Sequence, residues 1–285
     1  MMNSNRSDGP LLSFVFPCLN EEETLQNCIK EVRDALKPYD WSYEIIVADN
    51  GSEDRSPQIA LNEGISLVEV LPQGYGAALQ GGITESKGKW VAFCDADGTY
   101  YLEDLPKILK SAEESDADMV LANRFGPRLS SRAMPLLHRY LGTPLLALAI
   151  RLLHGNKIKD CNSGFRCLKR ESYLKWQPKS IGMEFASELL IRAIQENAKI
   201  IEISSGLRVS PRKRESKLST WRDGMRHLLE ILYHAPRFFE RIGFLMIIIG
   251  FFGHLTSLLF GRIRIGNIEV MDVHTRILFL VLRGI

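Results

Sequence analysis

From residue 11 to about residue 124, short apolar runs alternate with segments of helical period, and this alternation restricts the possible folds more than any other feature. Leu12–Leu19, Tyr43–Ala48, Ser66–Leu71, Trp90–Cys94 and Ala117–Ala122 are apolar, partly β-branched and bounded by turn residues, so they read as strands. Glu21–Leu36, Asp54–Glu63, Tyr75–Ser86 and Leu102–Ser115 read as helices between them. Pro38 disfavours helical backbone at the residue before it and so ends the first of these. Strands and helices in alternation predict an α/β fold, a mostly parallel central sheet with helices on both faces. Ligands of such sheets bind beyond the carboxyl ends of the strands.

Three of the strands run into polar clusters at that end: "FPCLNEEE", "VADNGSEDRS" and "FCDADGTY". The third places Asp95 and Asp97 with only Ala96 between them. Residues i and i+2 of an extended segment point the same way, so both carboxylates can face one small volume. Like charges that close raise each other's pKa unless a cation holds them ionised. Paired hard oxygen ligands suit Mg²⁺ or Mn²⁺. The competing reading is a solvated turn or helix cap, since turns favour Asp and Gly. An EF-hand is excluded, because its glycine would fall on Tyr100 and its last acidic ligand on Pro106.

Charge is nearly balanced, 36 Lys and Arg against 34 Asp and Glu, so it names no polyanionic partner such as nucleic acid. Five cysteines without metal-ligand spacing suggest buried free thiols in a reducing compartment, and the scattered histidines suggest no zinc site. Residues 1–10 read as a disordered polar tail without the apolar core of a secretory signal. Between Arg208 and Arg241 nine Lys and Arg face four Asp and Glu. Trp221, Met225, Leu228, Leu229 and Leu232 recur there at helical spacing, so 219–241 predicts an amphipathic helix on an anionic membrane surface. Residues 242–261 carry no formal charge and match the ~20 residues a bilayer-crossing helix needs. Beyond them "ILFLVL" is too short to cross a ~30 Å core, so 262–285 reads as a tail with an incomplete second hydrophobic segment.

In order along the chain come "FPCLNEEETL", "VADNGSEDRS", "GYGAALQGGI", "FCDADGTY", "ANRF", "KDCNSGFRCL", "GMEFASELLI" and "SKLSTWRDGMRHL". This series resembles the family-2 glycosyltransferases of the polyprenyl- or dolichyl-phosphate hexose (mannose or glucose) synthase type. The resemblance implies a GT-A-like nucleotide-diphospho-sugar transferase fold over 11–218, followed by juxtamembrane amphipathic helices and a transmembrane helix. It implies inverting transfer of a hexose from a nucleotide diphosphate sugar to a polyprenyl phosphate, with the catalytic domain facing the cytoplasm. Pro17, Leu19, Glu21, Asp49, Gly51, Ser52, Asp95, Ala96 and Asp97 would hold the nucleotide sugar, with Asp95 and Asp97 as ligands of Mg²⁺ or Mn²⁺. Arg124, Ser163, Arg212 and Lys217 match positions that hold the acceptor's phosphate. The family has Gly before Glu-Ser-Lys where this chain has Arg214, so the register of Arg212 against Arg214 is open by a residue or two. Asp97, Arg124 and Asp160 carry the catalytic expectation, Asp160 either as a base or by orienting Arg166. Partners would be the sugar nucleotide, the lipid phosphate and the membrane, and a homo-oligomer stays open.

Three other readings compete with this one. "QGYGAALQGG" imitates a dinucleotide loop, but the third glycine of that fingerprint would fall on Leu79. A transferase acting on a glycan or diacylglycerol would lack the phosphate-holding arginines. A non-catalytic nucleotide-sugar or lipid-phosphate module would not need the Asp95 and Asp97 pair.

Overall fold

Strand β1 (Leu12–Cys18) is buried along its whole length, and its alternate residues serve two different cores. Leu12, Phe14 and Phe16 face one core while Val15 faces the other, as the two-residue strand period requires. The computed structural model describes residues 9–212 and 220–260, with the short pairs 264–265 and 268–269. Around β1 are β2 (Tyr43–Asp49), β3 (Ser66–Glu69), β4 (Trp90–Phe93), β5 (Met119–Leu129), β6 (Arg166–Lys169) and β7 (Ile200–Leu207). They form one seven-stranded sheet in the order β3-β2-β1-β4-β6-β5-β7. Only β6 runs against its neighbours; the β1–β2, β1–β4, β2–β3 and β5–β7 pairs are parallel.

Helices α1 (Leu25–Leu36) and α4 (Leu105–Glu114) cover the first face, with Leu25, Ile29, Val32, Leu105 and Leu109 in its core. The second face packs α3 (Tyr75–Glu85), α5 (Thr143–His154), α6 (Arg170–Trp176) and α7 (Phe185–Gln195) through Leu79, Ile83, Ile150, Trp176, Leu189 and Leu190. A further short helix is α2 (Ser56–Asn62). All five cysteines are free and buried.

The expected strands and helices of the first half are present with modest changes of boundary. Helix α1 begins at Leu25 rather than Glu21, because residues 20–24 form a turn pinned to the loop after β2. The Asn20 and Glu21 amides donate to the Ser52 and Ser56 hydroxyls at 2.8 Å each. Strand β5 continues past Ala122 to Leu129, and its register to β7 shifts between Asn123 and Arg128.

The amphipathic helix is shorter than 219–241. It is α8 (Thr220–Tyr233), and it belongs to the first compact unit, which ends at His234. The buried His227 and Ile231 anchor it, while Trp221, Met225, Leu229 and Tyr233 stay exposed. The second unit holds α9 (Pro236–Phe260), 25 residues or about 37 Å at ~1.5 Å per residue. It starts six residues before the uncharged run, with Pro236 at the first helical position, where a missing amide proton costs nothing. It is long and apolar enough to cross a membrane, and none of that stretch is buried. Lys217 and most of the tail beyond 260 lie outside the described residues.

Candidate active site

Parallel pairing brings the carboxyl ends of β1, β2 and β4 to one edge, with Cys18 opposite Asp49. Because β6 is antiparallel, its beginning lies there too: Arg166 stands opposite Phe93 and Leu121. The loop 160–165 thereby arrives beside Asp95 and beside Arg124. A cavity of about 340 Å³ opens at this edge. Of the residues expected at the nucleotide, Pro17, Leu19, Glu21, Asp95, Ala96 and Asp97 line it, as does Arg212.

Every element of the Asp95–Asp97 loop is fixed. Thr24 Oγ1 donates to the Ala96 carbonyl at 2.6 Å, and Arg208 Nε donates to the Gly98 carbonyl at 2.7 Å. Asp97 Oδ1 accepts from the Thr99 amide and hydroxyl at 3.0 and 2.6 Å. Asp97 Oδ2 accepts from Arg212 Nη2 at 3.0 Å, and Arg212 Nη1 donates to Glu21 Oε1 at 2.8 Å. One guanidinium, its side chain 16% exposed, thus bridges Glu21 and Asp97, two of the four carboxylates that line the cavity, the others being Asp95 and Asp223. Asp95 has no ion pair among the described residues; burial and the neighbouring Asp97 push its carboxyl up to about 7, against a hydrogen bond from the Tyr75 hydroxyl and the charge of Arg124. Gly164 lies flat against it, and a Cβ there would stand 2.8 Å from Asp95 Oδ2.

These residues fit a divalent ion. Hard carboxylate oxygens of Glu21, Asp95 and Asp97 line one cavity, where Arg212 shows that the chain already accommodates a positive charge.

Asp49 sits at the end of β2, with Oδ2 accepting from the Gly51 and Ser52 amides at 3.1 and 3.0 Å. Its other oxygen is buried without a partner, and neither Asp49 nor Gly51 nor Ser52 lines the cavity. Gly51 adopts φ +89°, a conformation that favours glycine. Asn50, between them, lines the cavity and braces the turn before α3, accepting from the Gly74 amide at 2.6 Å and donating to the Pro72 carbonyl at 2.7 Å.

Arg124 lies in the irregular part of β5 and is clamped by Asp160. Its amide, Nε and Nη2 donate to the two carboxylate oxygens at 2.9, 2.8 and 2.7 Å. Asp160 is fully buried and its amide donates to Glu202 at 2.8 Å. Two expectations are corrected here. Asp160 orients Arg124, not Arg166; the buried Arg166 guanidinium is held by the carbonyls of Ser163, Ala186 and Cys161. Ser163 offers no hydroxyl to a phosphate, because it is fully buried and donates to the Ala122 carbonyl at 2.6 Å. Arg212 is engaged by carboxylates, as described above.

Sequence reasoning passed over Asn50, Tyr75, Gly164 and Met183, and also Arg222, Asp223 and Arg226 of α8, which line the cavity. The signal for the last group was present: Arg222 and Arg226 stand four residues apart beside the apolar stripe of α8.

The strand order, the lone antiparallel strand and paired carboxylates at the strand ends define a GT-A-like sugar-nucleotide transferase fold. The chain belongs to glycosyl transferase family 2, whose profile matches residues 13–176. It is 36% identical over 252 residues to the low-salt glycan biosynthesis hexosyltransferase Agl6 of Haloferax volcanii, covering 88% of this chain and 60% of that protein. It therefore spans somewhat less than two thirds of that relative. The dolichyl-phosphate hexose transferase of the same organism is 30% identical over 215 residues, 75% of this chain and 89% of that one. Among solved structures, glucosyl-3-phosphoglycerate synthase of Mycobacterium tuberculosis, in complex with Mn²⁺, uridine diphosphate and glucosyl-3-phosphoglycerate, superposes with a TM-score of 0.62 at 25% identity. That match covers 80% of this chain and 81% of the other.

Proposed function

We propose that this protein transfers a hexose, with inversion, from a nucleotide diphosphate sugar to a polyprenyl phosphate at the cytosolic membrane face. The observation that carries the reading is that Glu21, Asp95 and Asp97 line one cavity beyond the strand ends, with Glu21 and Asp97 already bridged by a guanidinium. Asp95 and Asp97 would hold Mg²⁺ or Mn²⁺ on the donor's diphosphate, and the ion supplies Lewis-acid stabilisation of the leaving group. Pro17, Leu19 and Ala96 wall the donor side, and the unpartnered Asp49 oxygen at the neighbouring end of β2 would accept from base or ribose once a ligand reaches it. Gly51 and Ser52 keep that carboxylate in place through their amides.

A lipid phosphate is already an anionic nucleophile, so the acceptor side needs positioning and charge neutralisation more than a base. Arg124, locked by Asp160, supplies fixed positive charge there, and Arg212 and Lys217 are assigned to the same side by motif. Asp160 has both oxygens committed to a guanidinium and is a poor proton acceptor; its part is to hold Arg124. The exposed apolar face of α8, the length of α9 and the name of the dolichyl-phosphate relative support a membrane-bound acceptor. Nucleotide sugars are cytosolic, and the basic excess before α9 agrees with a cytosolic catalytic unit.

The test is a screen of radiolabelled nucleotide sugars with purified protein and polyprenyl phosphate in detergent. The expected product is label in an acid-labile, solvent-extractable lipid. Label appearing only in water, a neutral lipid or a glycan would overturn the assignment of the acceptor.

A further inference from the structure

Two arginines assigned to the acceptor's phosphate by motif are engaged in the structure: Arg124 by Asp160, Arg212 by Glu21 and Asp97. Two others line the same cavity. Arg222 and Arg226 are one turn apart on α8, so both point to one side of the helix. The Arg222 side chain is 67% exposed, and its Nε is 4.0 Å from its neighbour Asp223, at the edge of an ion pair. Arg226 is exposed, and no carboxylate among the described residues pairs with it. Beside them on α8 the large apolar side chains of Trp221, Met225 and Leu229 are 77%, 53% and 58% exposed. One helix therefore carries a cationic pair into the cavity that Glu21, Asp95 and Asp97 line, and beside it an exposed apolar stripe.

We infer that Arg222 and Arg226 seat the acceptor's phosphate monoester, and that Trp221, Met225 and Leu229 receive the first part of its hydrocarbon chain. The inference rests on the proposed function, which sets the acceptor class. The chemistry asks for this arrangement. A phosphate dianion entering a cavity lined by Glu21, Asp95, Asp97 and Asp223 meets repulsion, and the two guanidinium forks that line the same cavity offset it. An amphipathic acceptor with an anionic head and an isoprenoid tail needs charge and apolar surface side by side, and a four-residue repeat in two adjacent columns of one helix supplies both.

The test compares Arg222→Gln, Arg226→Gln and Arg226→Lys in the full chain, in detergent, with undecaprenyl phosphate as acceptor. Wild-type transfer onto that lipid decides the underlying reading; absence of transfer removes the acceptor and the inference with it. Given transfer, each Gln variant should raise the acceptor KM roughly ten- to a hundredfold, the usual effect of losing a charge-assisted bond. The Lys variant should recover part of it, because charge is kept and the fork is lost. Binding of UDP and GDP with Mg²⁺, measured by calorimetry, should stay within about threefold, and melting should be unchanged at these exposed positions. An unchanged acceptor KM overturns the inference. A parallel loss of nucleotide affinity also overturns it, placing the pair on the donor's diphosphate. So does a change confined to partition onto anionic vesicles.

Discussion

Replacing Asp160 by Asn separates two roles that a carboxylate in this motif can have. The side chain is fully buried and takes three hydrogen bonds from Arg124, whose side chain is only 14% exposed. Asn keeps the shape and one acceptor, but its amide group would face a guanidinium nitrogen and the charge would be lost. Removing one partner of a buried ion pair costs about 3–5 kcal/mol, because the other charge is left uncompensated. Arg124 retains some solvent contact, so the lower end, ~3 kcal/mol, applies. At ~2–4 °C per kcal/mol for a domain of this size, Tm should fall by roughly 6–12 °C. Scanning fluorimetry in detergent measures it, and steady-state kinetics on both substrates accompanies it. The acceptor constant should weaken more than the donor's. Adding Arg124→Gln should cause little further loss, because the two residues act as one unit. Melting within about 2 °C of wild type, with transfer abolished and the acid limb of the pH profile gone, would show that Asp160 takes a proton and that its positioning role is wrong.

Asp97→Asn should abolish transfer while the chain stays folded; activity within about threefold at saturating Mn²⁺, under ~1 kcal/mol of barrier, would remove Asp97 from the metal. Gly164→Ala puts a Cβ 2.8 Å from Asp95 Oδ2 and 3.0 Å from the Tyr100 hydroxyl, so Asp95 must move. Mn²⁺ binding, followed by electron paramagnetic resonance, should weaken about tenfold or more, and wild-type binding would contradict the close approach. His227, buried against Ser187 at 2.9 Å, is held neutral by desolvation, its pKa lowered to about 4. A folded pKa below the unfolded value means that the unfolded chain binds the proton first, so stability is full above ~6.5 and declines as pH falls toward 4, by about 2 kcal/mol at pH 5. His227→Gln should flatten urea midpoints between pH 6.5 and 5, and an unaltered slope would count against this histidine.

How much of this was legible depends on whether the signal is local. Trp90–Phe93 is apolar and ends on two acids, and both facts lie within eight residues, so strand and site were readable together. The short β6 was not, because Arg166–Lys169 is four residues beginning and ending on a cation, a pattern without period. The partner of Asp160 was equally hidden. Arg166 is six positions away and Arg124 thirty-six, and sequence proximity favoured the wrong guanidinium. Ser163 looked like a polar corner because a hydroxyl does not reveal whether a carbonyl such as that of Ala122 has already accepted it. The start of α9 was misplaced for another reason. Hydropathy stops at Glu240 and Arg241, whereas backbone hydrogen bonding continues through them to Pro236.

The antiparallel strand also explains how segments far apart in the chain reach one edge of the sheet. In a purely parallel sheet every loop at the active edge follows a strand, and the segment before β6 would sit at the far edge. Reversal of β6 puts residues 160–165 directly after Phe93 in space, with Gly164 against Asp95 and Asp160 against Arg124. The β5 irregularity, placed at Asn123–Arg128, turns Arg124 toward that same loop. A fixed cation is therefore set beside the paired carboxylates by two departures from regular sheet geometry, neither of which has a periodic signature. Under the proposed reaction, which brings a diphosphate and a second phosphate together, those departures are where the two substrates would meet.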